Sequence, residues 1–594
     1  MTETNSNVNP DIESSQKRFS PATLIKEWQN GMAYLKDMGF LVNWPVYEDF
    51  KLGIQWPTPT ELTKNMPRPV FNIIDFFLQH KTASVLNENI KMVFSPEEIP
   101  DPDATSQDTK LQDAMEGAKQ FTDFSDTVWE SIDQESLNED AIDDAATNGT
   151  CIWHYFWDDE ASGGISTKYK GDLAGEIIDP VNIVFGDPQQ RNVQKQPYII
   201  VSSRMDAAKV RHLAQQNGVS IENLALITAD SNTADEAYTA AKKESQSSNK
   251  LTIYTRYFRE GKTIKFIKFT KSAIVQDVTD TRLTLYPIEV MVWKKRKKSI
   301  YGVSEVEGLI PNQKAINFNI GMMLLSVQEN AWPKIRAKPN ALKQRITNTP
   351  GEILVDHSPP GAGNGFDYMQ PASFPAMGVN IVDKVMEFTR TLTGANEVAT
   401  GDPFSRDLNA AAIIAMQNAN KVPVQHIQKR YYRSMKNIGR IWEEFFKTRY
   451  TLDRVVTVKD ENGQPKPTRF NGGNFADVPF TLKVDVGPSS SYSESLVMAT
   501  LDKFLDKQYI DFLTYLEFAP DNVVPYKGQL KKILSAKVAA APQVSSGMPG
   551  AAGAGPQPPG INPENILAQL TPEERAHIQK NPQLMAQVMS TMAG

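Results

Sequence analysis

Apolar residues recur along most of the chain at the spacings of regular secondary structure, and the spacing changes character several times. From Thr23 to Met38 the positions Leu24, Trp28, Met32 and Leu35 fall three or four apart, which predicts a helix. Arg68 to Leu86 predicts a second, with Pro69 near its start and Val70, Ile73, Ile74, Phe77 and Leu78 on one face. Thr150 to Trp157 (TCIWHYFW) is aromatic and β-branched and reads as a buried strand; Ile177 to Pro188 and the run from Pro197 (PYIIVSS) read as strands punctuated by turns. Met205 to Asn217 predicts a helix, and Ser231 to Asn249 is polar and poorly patterned. Residues 250–298 then alternate as strands do: LTIYTRYF, KTIKFIKF, YPIEVMVW.

Ser304 to Ala331 is the longest clear helical pattern, about 42 Å at the helical rise. Ser304 and Glu307 have the spacing of a capping box, and Trp332-Pro333 ends the pattern. Pro311 either marks where the regular part begins or bends the helix. Asn380 to Leu392 is helical. Asp407 to Tyr450 is a second long helical stretch, interrupted at Pro423, whose stripe runs through Val424, Ile427, Tyr431, Met435, Ile438, Trp442 and Phe445. Residues 454–487 alternate like a hairpin around ENGQP, and Leu496 to Leu516 is helical. After about residue 540 the chain becomes an Ala/Pro/Gly/Gln-rich linker with one short helix, TPEERAHIQ.

At 594 residues the chain exceeds one compact core. The net charge of −7 gives no support to general nucleic-acid affinity, but the charge is unevenly spread. Residues 97–144 carry sixteen Asp or Glu against Lys110 and Lys119. Residues 250–298 carry thirteen Lys or Arg against Glu260, Asp277, Asp280 and Glu289, a net of +9, and 421–449 has a net of +6. The single cysteine, Cys151, cannot form a disulfide within the chain, which fits a reducing compartment. The N-terminal MTETNSNVNPDIESSQ lacks the apolar core of a signal peptide. The longest apolar run, Ala410 to Met416, is far short of the roughly 20 residues that span a bilayer.

Catalytic motifs are missing. The chain has no GxxxxGK[ST] phosphate loop, no HExxH, no CxxC pair and no GxSxG elbow. Its six histidines are scattered, and Gly361, Gly363 and Gly365 lie in a Pro-rich loop rather than after a strand. No catalytic residue, cofactor or metal site is therefore expected.

One group of motifs resembles a known family. YGVSEVEGLIPNQKAINFNIGMMLLSVQENAWPK (301–334) resembles the helix that follows the clip in tailed-bacteriophage portal proteins, the head-to-tail connectors. The preceding YPIEVMVWKKRKKSIYG and the later LTGANEVATGDPFSRDLNAAAIIAMQNAN (392–420) resemble the strand into that helix and the tunnel-loop region. DFKLGIQWP, RPVFNIIDFF and GEIIDPVNIVFGDP resemble the family's wing, so the resemblance spans roughly residues 20–520.

What the resemblance implies is a helix-dominated mixed α/β subunit, elongated, in a cyclic ring, commonly a dodecamer, at one capsid vertex of the virion. Assembly in the bacterial host cytoplasm is expected. Double-stranded DNA would pass through the ring, and terminase, major capsid and scaffolding proteins and neck or tail adaptors would be its partners, with no membrane. The implied layout is a disordered arm (1–20), N-terminal wing (21–204), first stem helix region (205–249), clip (250–300), second stem helix (301–335), wing (336–392), tunnel loop and following long helix (393–450), wing hairpin (451–487), helical crown (488–539) and flexible tail (540–594). The alternative is another virion structural protein, a head–tail adaptor or minor capsid protein, for which the chain is long.

Three sets of site residues follow. Thr393, Asn396, Thr400, Ser405 and Asn409, small and polar, would line the DNA channel. A translocating channel gains from such a lining, because every phosphate neutralised adds affinity that resists sliding. Lys294, Lys295, Arg296, Lys297 and Lys298 would contact DNA or an acidic partner at the clip, unless they form only a solvated strand end. Ile316, Ile320, Met323, Leu324 and Val327 would pack against neighbouring subunits. The charges of 421–449 serve as polar helix surface, as intersubunit pairs with the acidic 97–144 region, or as a DNA-facing surface.

Overall fold

The computed structural model describes residues 19–97, 109–161, 170–230, 249–341, 355–361, 363–369, 377–393, 410–459, 465–487, 501–507 and 509–519, with a few isolated positions besides. The chain divides into two compact units, 1–529 and 530–594, and the elements described here belong to the first.

Helix α1 (Pro21–Asp37) starts at Ser20, whose hydroxyl accepts from Thr23 N at 3.3 Å. Helix α2 (Phe40–Lys51), absent from the elements expected above, buries Phe40, Trp44, Tyr47 and Phe50 on one side and tolerates Pro45 within it. Helix α3 (Ile73–Leu86) begins five residues later than its apolar pattern, because the approach to it runs extended over a later helix. Strand β1 (Asn89–Pro96), α4 (Thr109–Ser131), α5 (Gln134–Asn148), β2 (Thr150–Asp158) and β3 (Asp172–Ile177) follow.

Next come β4 (Ile183–Phe185), β5 (Tyr198–Asp206), the short helices α6 (Ala207–Gln216) and α7 (Ile221–Ala225), β6 (Lys250–Glu260), β7 (Thr263–Phe269) and β8 (Ile274–Asp280). The five strands β4 to β8 form one antiparallel sheet in sequence order. Alternation along β6 sends Tyr254 and Phe258 to one face, where Leu24 and Trp28 of α1 cover them. Leu251 and Ile253 go to the other, under Ala207, Val210 and Ala214 of α6.

Strand β9 (Ile288–Val292) leaves this sheet and pairs with β2, Thr150 opposite Val292, in the order β3-β2-β9. The 250–298 segment is thus divided between two sheets, and its strands β6 to β8 continue one begun by β4 and β5. Its positive charge is divided as well: Arg256 makes two bonds to Glu27, at 2.6 and 3.1 Å, and Lys265 pairs with Glu260 at 2.7 Å.

Helix α8 (Glu305–Ala331) runs unbroken through Pro311. After β10 (Ile335–Ala337), β11 (Phe366–Tyr368) and α9 (Met377–Thr393), helix α10 (Ala410–Arg449) extends over 40 residues and continues through position 423, where a break was expected. One proline removes one ladder bond, and the deeply buried stripe from Tyr431 to Phe446 holds the rest. Strands β12 (Arg454–Lys459) and β13 (Pro465–Phe470) form the expected hairpin. The third strand, β14 (Phe480–Gly487), does not extend it: it pairs with β1, Asn89 opposite Gly487. Residues 501–507 are largely helical, and α11 (Phe512–Phe518) is the last named element.

The largest core joins α2 to α5, β1, β2, β9, α8, α10 and β14. At its centre Phe124 stacks on Phe470 at 3.9 Å, with Phe121, Phe446 and Tyr450 edge-on around them. Two chain segments cross at Gly149 and Gly302. Gly149 has φ +87°, and a Cβ there would lie 2.7 Å from the Val303 carbonyl carbon; a Cβ on Gly302 would overlap the Gly149 carbonyl oxygen.

Candidate functional site

The crossing fixes the start of α8. Ser304 caps it, its hydroxyl accepting from Val306 N at 2.9 Å and donating to the Thr147 carbonyl at 2.6 Å. The expected capping-box partner, Glu307, instead faces the Tyr47 hydroxyl. The acid that matters is Glu305, buried between Lys81 Nζ (2.6 Å), Lys294 Nζ (2.8 Å) and Trp293 Nε1 (2.9 Å). Burial opposes its charge, yet the two lysines outweigh it and hold the carboxyl down at about 2.

This engagement splits the basic run 294–298. Lys294 is tied to Glu305, and its carbonyl accepts from Val303 N at 2.9 Å. Arg296 lies over the Phe40 ring at 5.1 Å, with its carbonyl taken by Arg191 at 2.6 Å. Lys295, Lys297 and Lys298 are exposed. The run is a compact turn between β9 and α8 rather than the end of a projecting strand.

Behind the turn opens a cleft of about 570 Å³. Its cations come from three separate parts of the chain: Arg191; Lys295 and Arg296; and Arg430, Arg433 and Arg440 of α10. The α10 residues stand three, seven and ten apart and so share one helix face. That face is pinned by Glu444, which accepts from Thr284 N at 2.7 Å and Leu285 N at 2.9 Å. Arg430 donates to the Trp293 carbonyl at 2.6 Å, while its Nε is buried without a partner. Burial and the neighbouring Arg433 push its guanidinium below the ordinary value. Glu289 is the one acid lining the cleft. Burial pushes it up to about 7, against the opposing pull of Asn437 (3.0 Å), Ser434 and Arg433.

The two basic blocks of the sequence therefore meet here, which their separation along the chain gave no means of foreseeing. Arg191 belonged to neither block. Two further cations of 421–449 are spent internally: Lys447 pairs with Glu443 at 2.6 Å, and Arg449 bonds the Thr281 carbonyl at 3.1 Å.

Helix α8 is covered along only part of its length. Inside, Val306, Leu309, Gln313, Ile316, Asn317 and Gly321 are buried. Gln313 accepts from Ile73 N (3.0 Å) and donates to the Phe71 carbonyl (2.6 Å), and Asn317 donates to Gln55 (2.6 Å). These amides hold the extended approach to α3. Past Gly321 the same stripe runs on uncovered, with Leu324 and Val327 43 and 65% exposed and Trp332 at the C-cap 72%; Phe318 on another face is 56% exposed, and α9 alongside presents Phe388 at 61%. Of the five residues expected to pack between subunits, Ile316 is consumed inside its own subunit, Ile320 and Met323 are half-buried, and Leu324 and Val327 are exposed.

Thr393 ends α9; Asn396, Thr400, Ser405 and Asn409 lie outside the described residues. Among the described residues no group of His, Cys, Asp and Glu is placed to hold a metal ion, and no helix is long and apolar enough to cross a membrane.

A family model, the phage P22-like portal protein, matches residues 47–501. No curated protein matches the chain. The matched span takes in both sheets, the basic cleft and α8 through α10, and it covers well over half of the sequence: the chain belongs to the phage P22-like portal proteins.

Proposed function

We propose that the chain is one subunit of a cyclic, commonly dodecameric, ring through which double-stranded DNA is packaged and ejected. As a member of its family it is a structural component of the phage virion, serving DNA packaging and head–tail connection. In this reading α8 is the second stem helix, residues 393–409 carry the tunnel loop, and the first stem region is assigned to 205–249. The clip is assigned to 250–300, wings to 21–204, 336–392 and 451–487, and the crown to 488–539. Terminase, then neck or tail adaptors, dock at the clip side, with major capsid and scaffolding proteins around the wing. The head–tail adaptor and minor-capsid alternatives have no support in the family match.

The observation that carries the ring is the exposed apolar surface of α8, mostly along its uncovered C-terminal part, and of α9. Phe318, Leu324, Val327, Trp332 and Phe388 form more exposed apolar surface than an isolated subunit keeps covered with water at no cost. Electron microscopy of the purified protein should show rings with a central hole. Leu324→Asp should leave the subunit folded, since that side chain is exposed, and shift rings to monomers in sedimentation. Rings that persist unchanged would remove the stem face from the interface.

The basic turn supports a docking role only through its free members. Because Lys294 and Arg296 hold the fold, the informative variant reverses Lys295, Lys297 and Lys298 to Glu. Rings should form normally, and terminase-dependent packaging should fall by tenfold or more. Undiminished packaging would exclude these lysines from the contact.

A further inference from the structure

The cleft behind the basic turn has the build of a receptor for carboxylates. Three of its cations, Lys295, Arg433 and Arg440, are exposed, and none makes a contact ion pair among the described residues, although Arg433 feels the buried Glu289 across the cleft. A fourth, Arg430, keeps a buried Nε unpaired. Repulsion between Arg430 and Arg433 is left standing in the isolated subunit, and an incoming anion would relieve it.

Duplex DNA is a poor occupant. Its backbone is convex and wide, whereas a cleft of about 570 Å³ admits side chains or one strand of peptide. A grip on the duplex would moreover oppose translocation.

The matching acids are on the same chain. Around the turn from α4 to α5, Glu130, Asp133, Glu135, Glu139 and Asp140 are exposed, and none has a Lys or Arg partner among the described residues. They cannot reach the cleft of their own subunit. Helix α10 stands between: its Tyr431, Met435, Ile438 and Trp442 are buried on the side where α4 packs, with Trp129 and Trp442 rings 6.2 Å apart. Arg430, Arg433 and Arg440 project from the other side. A subunit with complementary patches on opposite sides is what a head-to-tail ring contact requires, whereas a two-fold contact needs one self-complementary patch.

We propose that the α4–α5 acidic turn of one copy inserts into the Arg430–Arg433–Arg440 cleft of the next, forming an electrostatic latch between neighbours in the ring. The proposal rests on the ring reading and names a contact within it.

The test uses the full chain in three forms: Arg433→Glu with Arg440→Glu; Glu135→Lys with Glu139→Lys and Asp140→Lys; and all five together. All five side chains are exposed, so thermal melting monitored by circular dichroism should match wild type. At about 0.15 M salt each single-sided reversal should raise the half-assembly concentration, read by sedimentation velocity, by about tenfold or more. The five-fold variant should return toward wild type, because attraction is restored with exchanged signs. Near 1 M salt the differences should shrink. Rings by every variant at wild-type concentration would overturn the latch and leave the ring reading intact. Loss of rings without rescue in the five-fold variant would overturn this pairing of patches. Normal rings with lost packaging in the cleft variant would assign the cleft to an external acidic protein instead. A wild-type chain that never forms rings would overturn both readings together.

Discussion

Glu305→Gln should lower the stability of the subunit by about 3 kcal/mol at neutral pH, one of the largest effects of any uncharged, equal-sized replacement in this chain. The substitution leaves Lys81, whose side chain is 9% exposed, as a buried ammonium without its counter-charge. The amide also keeps only one acceptor oxygen, so either Lys81 or the pair Trp293 Nε1 and Lys294 must face an NH2 group. The pH dependence gives an independent check. The folded carboxyl titrates at about 2 against an ordinary value of 4.5, so its stabilisation is complete above 4.5 and disappears as pH falls toward 2. The gap between wild type and variant in urea denaturation should be widest at pH 6–7 and close on acidification. A gap independent of pH would mean that the loss comes from packing rather than charge.

Gly302→Ala should be still more damaging, by more than about 3 kcal/mol, and Gly308→Ala, six residues on, should be harmless or stabilising by up to about 1 kcal/mol. At Gly302 the added Cβ would collide with the backbone oxygen of Gly149, and a backbone atom cannot swing aside as a side chain does. The position also lies where Thr150 Oγ1 accepts from Gly302 N at 2.9 Å, so any displacement breaks the junction between β2 and α8. At Gly308, on the exposed side of α8, nothing lies within 4 Å of a new Cβ, and alanine removes the entropic cost of glycine in a helix. Thermal melting of the two variants side by side decides the matter. Similar melting points would show that the crossing is looser than its geometry implies.

These two positions also show what can be read along a chain. The run from Ser304 to Ala331 announces itself through apolar spacing, a capping serine and a terminal Trp-Pro, and the helix obeys all three within a residue. Such signals are local. The role of Glu305 is not local: its partner Lys81 is 224 residues away, so the sequence drew attention to Glu307, which has the right spacing for a cap, and passed over its neighbour. Helix α2 escaped notice because Pro45 sits in its middle, although Phe40, Trp44, Tyr47 and Phe50 have helical spacing. The break expected at Pro423 failed for the converse reason, since burial along the following stripe outweighs one missing bond. The basic blocks were visible as charge, but charge counts carry no direction. Only the fold brings Lys295 and Arg296 against Arg430, Arg433 and Arg440, and only the fold sets Arg256 against Glu27 and Lys265 against Glu260.

The pairing of β1 with β14 sets a clock on synthesis. Ser95 and Thr481, neighbours in that ladder, are 386 positions apart in the chain. At bacterial elongation rates of roughly 5–20 residues per second, β1 leaves the ribosome about 20–80 seconds before its partner exists. Through that interval Met92 and Phe94 wait beside an unfilled edge, a template for the wrong strand. Closure comes only when residue 487 has emerged, after α8, α9 and the whole of α10. A nascent subunit therefore carries the exposed apolar surface of α8 and α9 and the basic cleft before its own core is sealed, and among the described residues the last strand to be made is the one that seals it.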